Sequence, residues 1–224
     1  MTQVGKAVAL VSALGAVSGG VAVASGAFNQ SEKQQPQQIT KDVITISSKL
    51  ASEGFEVLST DKNSEEWRKV LEDYKNATDK SFTKTKEANK TQEQLRKNCK
   101  DILDKEDLTG DNYQLAKKWC VKKEPISKIL EKQGYTLLKL TDDENTEEKP
   151  HWTAKVKDLK QNKEKFEAIK STIKDEETAT EENIKALKKG CTDLQINQTE
   201  TTSDTFDKNL DLARDWCSIK TNKG

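Results

Sequence analysis

The sequence predicts a mainly α-helical protein: an N-terminal apolar helix, then two duplicated small helical units, each closed by one disulfide. Three observations predict it. Proline occurs only three times in 224 residues, while Lys, Glu, Leu and Ala are abundant, and such a composition favours helix. Apolar residues recur at spacings of three and four, the period of a half-buried helix. The stretch NYQLAKKWC at 112–120 returns as NLDLARDWC at 209–217.

The first element is the N-terminus. Lys6 is followed by 22 uncharged residues from Ala7 to Phe28, long enough to cross a bilayer as a helix. A cleavable secretory signal, with Ala22-Val23-Ala24 as its processing site, competes with an uncleaved anchor. The apolar run continues past that site, which favours the anchor. Either way the positive end stays inside, so residues 29–224 are expected outside the cytoplasm. Residues 1–28 are thus a signal or membrane anchor. Residues 29–38, NQSEKQQPQQ, read as a polar tether.

Self-similarity divides the remainder. Gly54-Phe55-Glu56-Val57-Leu58 matches Gly134-Tyr135-Thr136-Leu137-Leu138, Trp67 matches Trp152, and Leu95–Cys99 matches Leu187–Cys191. The offset grows from 80 to 85 to 92 to 97, with each change falling between matched blocks, where loops tolerate insertion. Residues 39–124 and 125–224 are therefore read as two repeat units.

Within unit 1, Ile39–Ser52 is predicted helical and stops at Gly54. Phe55–Leu58, like Tyr135–Leu140, is either a helix-end turn or a short strand. The next helix opens at Asn63 with Glu66 three residues on, a capping-box pattern. Its counterpart opens at Pro150, and its apolar stripe runs Trp152, Val156, Leu159, Phe166, Ile173. Lys163 and Lys170 interrupt that stripe, which predicts a partly solvated seam. Leu95, Cys99 and Ile102 share a face of the third helix, and a turn at Thr109-Gly110-Asp111 leads to Leu115, Ala116, Trp119 and Cys120.

Two helices joined by a short turn lie antiparallel. Cys99 and Cys120 stand at similar distances on either side of that turn, so their sulfurs are expected to meet. The repeat predicts the same for Cys191 and Cys217. Only 33% of the chain is hydrophobic and 34% is charged, against roughly 45–50% and 25% in an average domain. Units of under 100 residues with so lean an interior need covalent staples. Disulfides also imply an oxidising compartment.

The same residues exclude several chemistries. Lys and Arg number 38 against 38 Asp and Glu, so no basic face is on offer and nucleic acid is not an expected partner. No C-x-x-C pair occurs, whereas structural zinc ligands pair closely in sequence. The single histidine, His151, follows Pro150 at a predicted helix start with no nucleophile beside it in sequence. Carboxylate runs such as Asp142-Asp143-Glu144, Glu147-Glu148, Asp175-Glu176-Glu177 and Glu181-Glu182 alternate with Lys, as a solvated surface does. The sequons at Asn76, Asn89 and Asn197 are expected by chance in Asn- and Thr-rich text. No catalytic residue, cofactor or metal is expected.

Taken together, the apolar N-terminus, the Gly-aromatic-x-hydrophobic-Leu element, the following Trp, the lone Cys after Leu-Lys/Arg-Lys and the terminal Leu-Ala-Lys/Arg-x-Trp-Cys resemble the paralogous, uncharacterised surface-type protein families of haemotrophic mycoplasmas. The resemblance spans nearly the whole chain and implies surface display. The expected function is a membrane-anchored, extracytoplasmic, non-catalytic protein acting as a surface antigen or host-contact module. Its expected partners are the membrane, through residues 7–28, and a host-cell surface or antibody. The alternative is an extracytoplasmic solute-binding protein or enzyme with a site between the two units, lined by Trp67, Trp152 and inward-facing carboxylates.

Overall fold

Thr45 sets the first helix. Its hydroxyl accepts from the Ser48 amide, and the Ser48 hydroxyl accepts from the Thr45 amide, a reciprocal cap that satisfies two otherwise bare donors. α1 therefore runs Ile46–Ser52, not from Ile39. The structure, a computed structural model, describes residues 43–84, 90–141 and 147–221. The expected apolar helix at 1–28 and the tether at 29–38 lie outside the described residues. Among the described residues no helix is long and apolar enough to cross a membrane, and all of them fall in one compact unit.

The chain is mainly helical. Gly54, at φ 85°, ends α1 in the left-handed conformation that costs glycine least. A Cβ there would also lie 3.1 Å from the Cβ of Lys132. α2, Glu65–Asn76, buries Trp67, Val70 and Tyr74. Its cap is Ser64 rather than Asn63: Ser64 is extended, and its hydroxyl accepts from the Trp67 amide. α3, Gln92–Leu103, is capped by Thr91 and buries Leu95, Cys99, Ile102 and Leu103. After a turn in which the Asp107 carboxylate accepts from the Gly110 amide, α4 covers Asp111–Trp119 and buries Tyr113, Ala116 and Trp119.

The second half holds four further α-helices and two short strands among its described residues. α5 is Ile126–Lys132, closed by Gly134 at φ 81°. The short apolar stretch that follows is a strand, β1, Tyr135–Leu137. α6 is Lys149–Gln161 with Pro150 in its first turn. α7 is Thr180–Asp193 and α8 is Phe206–Trp216. β2, Ser218–Lys220, pairs antiparallel with β1, Tyr135 opposite Lys220. In the first half a single bridge, Val57 with Val121, stands at the corresponding place. The Leu58 amide donates to the Cys120 carbonyl and the Leu138 amide to the Cys217 carbonyl, both at 2.9 Å.

The stripe from Trp152 to Ile173 is not one helix. α6 stops at Asn162, whose side chain folds back onto the Asp158 carbonyl. Lys163–Ile169 continues as a 3-10 segment with Phe166 off helical geometry. Phe166 and Ile173 are buried nevertheless, so the apolar pattern reported burial correctly and continuity wrongly. Lys163 pairs with Asp175 at 2.7 Å and Lys170 with Glu167 at 2.6 Å, which keeps both ammonium groups at the surface.

One apolar cluster runs from Ile46 to Cys217 through both halves. The seam between the halves is polar at its rim. Lys117 pairs with Asp207, Lys118 with Asp204, and Lys123 with Asp73 and Glu200. Inside that rim Phe55 meets Phe206 edge-on at 6.2 Å.

Gly190 lets α7 pack close. A Cβ there would come 2.9 Å from Cγ2 of Ile169 and 3.1 Å from Phe166. Alanine in a helix interior normally stabilises by about 1 kcal/mol relative to glycine. Here overpacking reverses the sign, and Gly190→Ala is expected to lose about 1–2 kcal/mol, read as a lower urea midpoint at unchanged slope.

Candidate functional site

All four cysteines are bonded, Cys99 to Cys120 and Cys191 to Cys217, with Cα separations of 5.6 and 5.7 Å. Each half thus closes its own loop, and each sulfur pair is fully buried. The bonds join α3 to the end of α4, and α7 to the end of α8. They are inert staples, since no free thiol remains to attack or exchange.

The other residues singled out by sequence do not converge. Trp67 and Trp152 are 0% and 2% exposed and belong to the core, so they line no cleft between the halves. His151 is exposed on α6. Asp175, Glu181 and Glu182 pair with Lys163, Lys149 and Lys174, as surface charges do. Residues 142–144 lie outside the described residues. Among the described residues no cluster of His, Cys, Asp and Glu could hold a metal ion.

Among the described residues, a substantial groove lies beside the second disulfide. It encloses about 660 Å³, within the range of about 300–1,000 Å³ that small-ligand sites occupy. Leu137, Leu138 and Leu140 supply one wall, continuing from β1, and Gln195, Asn197 and Gln198 the other. Sequence reasoning met the second wall only as a chance sequon. Asn197 is indeed exposed, but Thr199 is buried with its hydroxyl on the Leu194 carbonyl. The signal that could have found the wall is the jump in repeat offset from 92 to 97 between α7 and α8, which lengthens this turn by five residues.

A part-buried pair couples α1 to α4. The Tyr113 hydroxyl donates to the Glu53 carboxylate. Burial, then this bond, push the Tyr113 phenol above its ordinary value. Burial acts upward on Glu53 as well, but the Tyr113 hydroxyl and Lys49 outweigh it and hold the carboxyl below its usual range. A lowered carboxyl stabilises the fold above its free value of 4.5 and loses that contribution as pH falls. A raised phenol stabilises below its free value of 10.0 and loses that contribution as pH rises. Tyr113→Phe is therefore expected to flatten both limbs of the stability profile. Urea midpoints from about pH 3 to about pH 11 measure it, and limbs as steep as those of the unsubstituted chain would refute the coupling.

No family model, curated protein or solved structure matches this chain.

Proposed function

We propose that the chain is a membrane-anchored, extracytoplasmic, non-catalytic module that contacts a host surface or antibody. Residues 7–28 hold it to the membrane and the two stapled units project outward. The observation that carries this reading is that every cysteine is committed to a buried disulfide, a state that persists outside reducing compartments. The units arose by duplication of one helical motif. In support, Gly54 and Gly134 close α1 and α5 at nearly the same φ, and Leu58 and Leu138 bond the two Trp-Cys carbonyls alike.

The alternative, a solute-binding protein or enzyme working between the units, is less well supported. A cleft lined by Trp67 and Trp152 would favour it, and both are packed inside.

Proteolysis of intact cells, followed by non-reducing peptide mapping, tests the reading. Cleavage within 29–224 from outside, with Cys99–Cys120 and Cys191–Cys217 recovered as linked peptides, is expected. Full protection together with four alkylatable thiols would refute it.

A further inference from the structure

We infer that the groove beside the Cys191–Cys217 disulfide binds an uncharged, aliphatic stretch of polypeptide in extended form. The proposal deepens the contact-module reading by naming what is contacted, and it rests on that reading.

Charge is the first argument. A third of the chain is charged, yet among the described residues none lining this groove is. A charged ligand would find no counter-ion among the described lining residues.

The second argument is unspent hydrogen bonding. The side chains of Asn162, Asn183 and Asn209 all donate to backbone carbonyls. The exposed amides of Gln195, Asn197 and Gln198 bond to no other described group. Each offers a donor and an acceptor side by side, the same pair that a peptide group presents.

The third argument is rigidity. Gln195 holds φ 50°, an unusual conformation for a residue with a Cβ. Its carbonyl accepts from the amides of Gln198 and Thr199, both at 2.8 Å. The Leu194 carbonyl accepts from the Thr199 hydroxyl at 3.0 Å and from Asn209 at 3.2 Å. The wall is ordered before any ligand arrives, which lowers the entropic cost of binding.

The lining also selects among neutral ligands. Leu137, Leu138 and Leu140 match aliphatic side chains, and among the described lining residues no aromatic ring is present to stack against a sugar. Polypeptide is therefore favoured over glycan. The amides stand in the five-residue extension that the first half lacks, so the groove belongs to the second half alone.

Titrating the isotope-labelled, oxidised full chain tests the inference. The probes are the blocked peptide acetyl-Ser-Leu-Thr-Leu-Ser-amide, its charged analogue acetyl-Glu-Leu-Lys-Leu-Glu-amide, and lactose. The neutral peptide is expected to move the side-chain amide signals of Gln195, Asn197 and Gln198 saturably. The charged analogue should bind about tenfold more weakly, and lactose should leave these signals unmoved. Gln195→Glu with Gln198→Glu should weaken the neutral peptide about tenfold while the core signals stay in place. Absence of shifts at millimolar peptide, equal response to lactose, or undiminished binding by the variant overturns the proposal. This measurement uses purified protein and is independent of where the chain resides, so it can fail while the cell-surface experiment succeeds, and the reverse.

Discussion

Replacing Cys191 and Cys217 together by alanine is expected to cost about 3 kcal/mol of folding stability. The bond closes a sequence separation of 26 residues, and closing a loop of that length removes disorder chiefly from the unfolded chain. The first bond spans 21 residues. Because the dependence on length is logarithmic, Cys99→Ala with Cys120→Ala should cost nearly the same. Losing both would remove about 6 kcal/mol, comparable with the whole stability of a domain this lean. All four sulfurs are buried, so alanine is the cleaner replacement: a serine hydroxyl would need a partner in an apolar setting. Urea titration with and without reductant measures the effect. A midpoint unmoved by reductant would dismiss the idea that the staples compensate for a thin core.

The two buried tryptophans give the second large effect. Trp67→Ala and Trp152→Ala should each cost about 3–5 kcal/mol, since each empties a large volume in a continuous core. Phenylalanine separates them. The Trp67 indole N–H donates to the Ser59 carbonyl at 2.8 Å, whereas the buried Trp152 N–H has no partner among the described residues. Trp67→Phe loses a hydrogen bond, while Trp152→Phe removes an unsatisfied donor. Trp67→Phe is expected to be the more damaging by about 1–2 kcal/mol. Equal midpoints for the two phenylalanine variants would mean that the indole bond contributes nothing.

Much of the helical architecture was legible because it depends on local pattern. The Leu95–Cys99–Ile102 face, the glycine stops and the cysteine pairing all follow from helical period and repeat spacing. Other features depended on competition between neighbours. Ser64 caps α2 because its backbone is extended there, and Asn63 offered an equally good pattern one residue earlier. Thr45 starts α1 through Ser48, a cap partner less conspicuous than Glu or Gln. Asn162 breaks an apolar stripe that keeps its phase on both sides. β2 had no signal of its own, since Ser218–Lys220 is extended by virtue of β1 beside it. The groove was hidden for a different reason. Its wall is assembled from a strand and a loop nearly sixty residues away, and its exposed amides bond to no other described group.

The ion pairs at the seam have a further consequence. Lys117, Lys118 and Lys123 come from the first half, and Asp204, Asp207 and Glu200 from the second. Halves that meet through such contacts run the risk of pairing with a half of another molecule, an exchange that tangles chains during synthesis. Lys132 of the second half faces Glu124 of the first in turn, so the joint carries ion pairs of both polarities. Halves joined in this way fit only where every ammonium meets its carboxylate, so the charge pattern of the joint tells each segment which mate to accept.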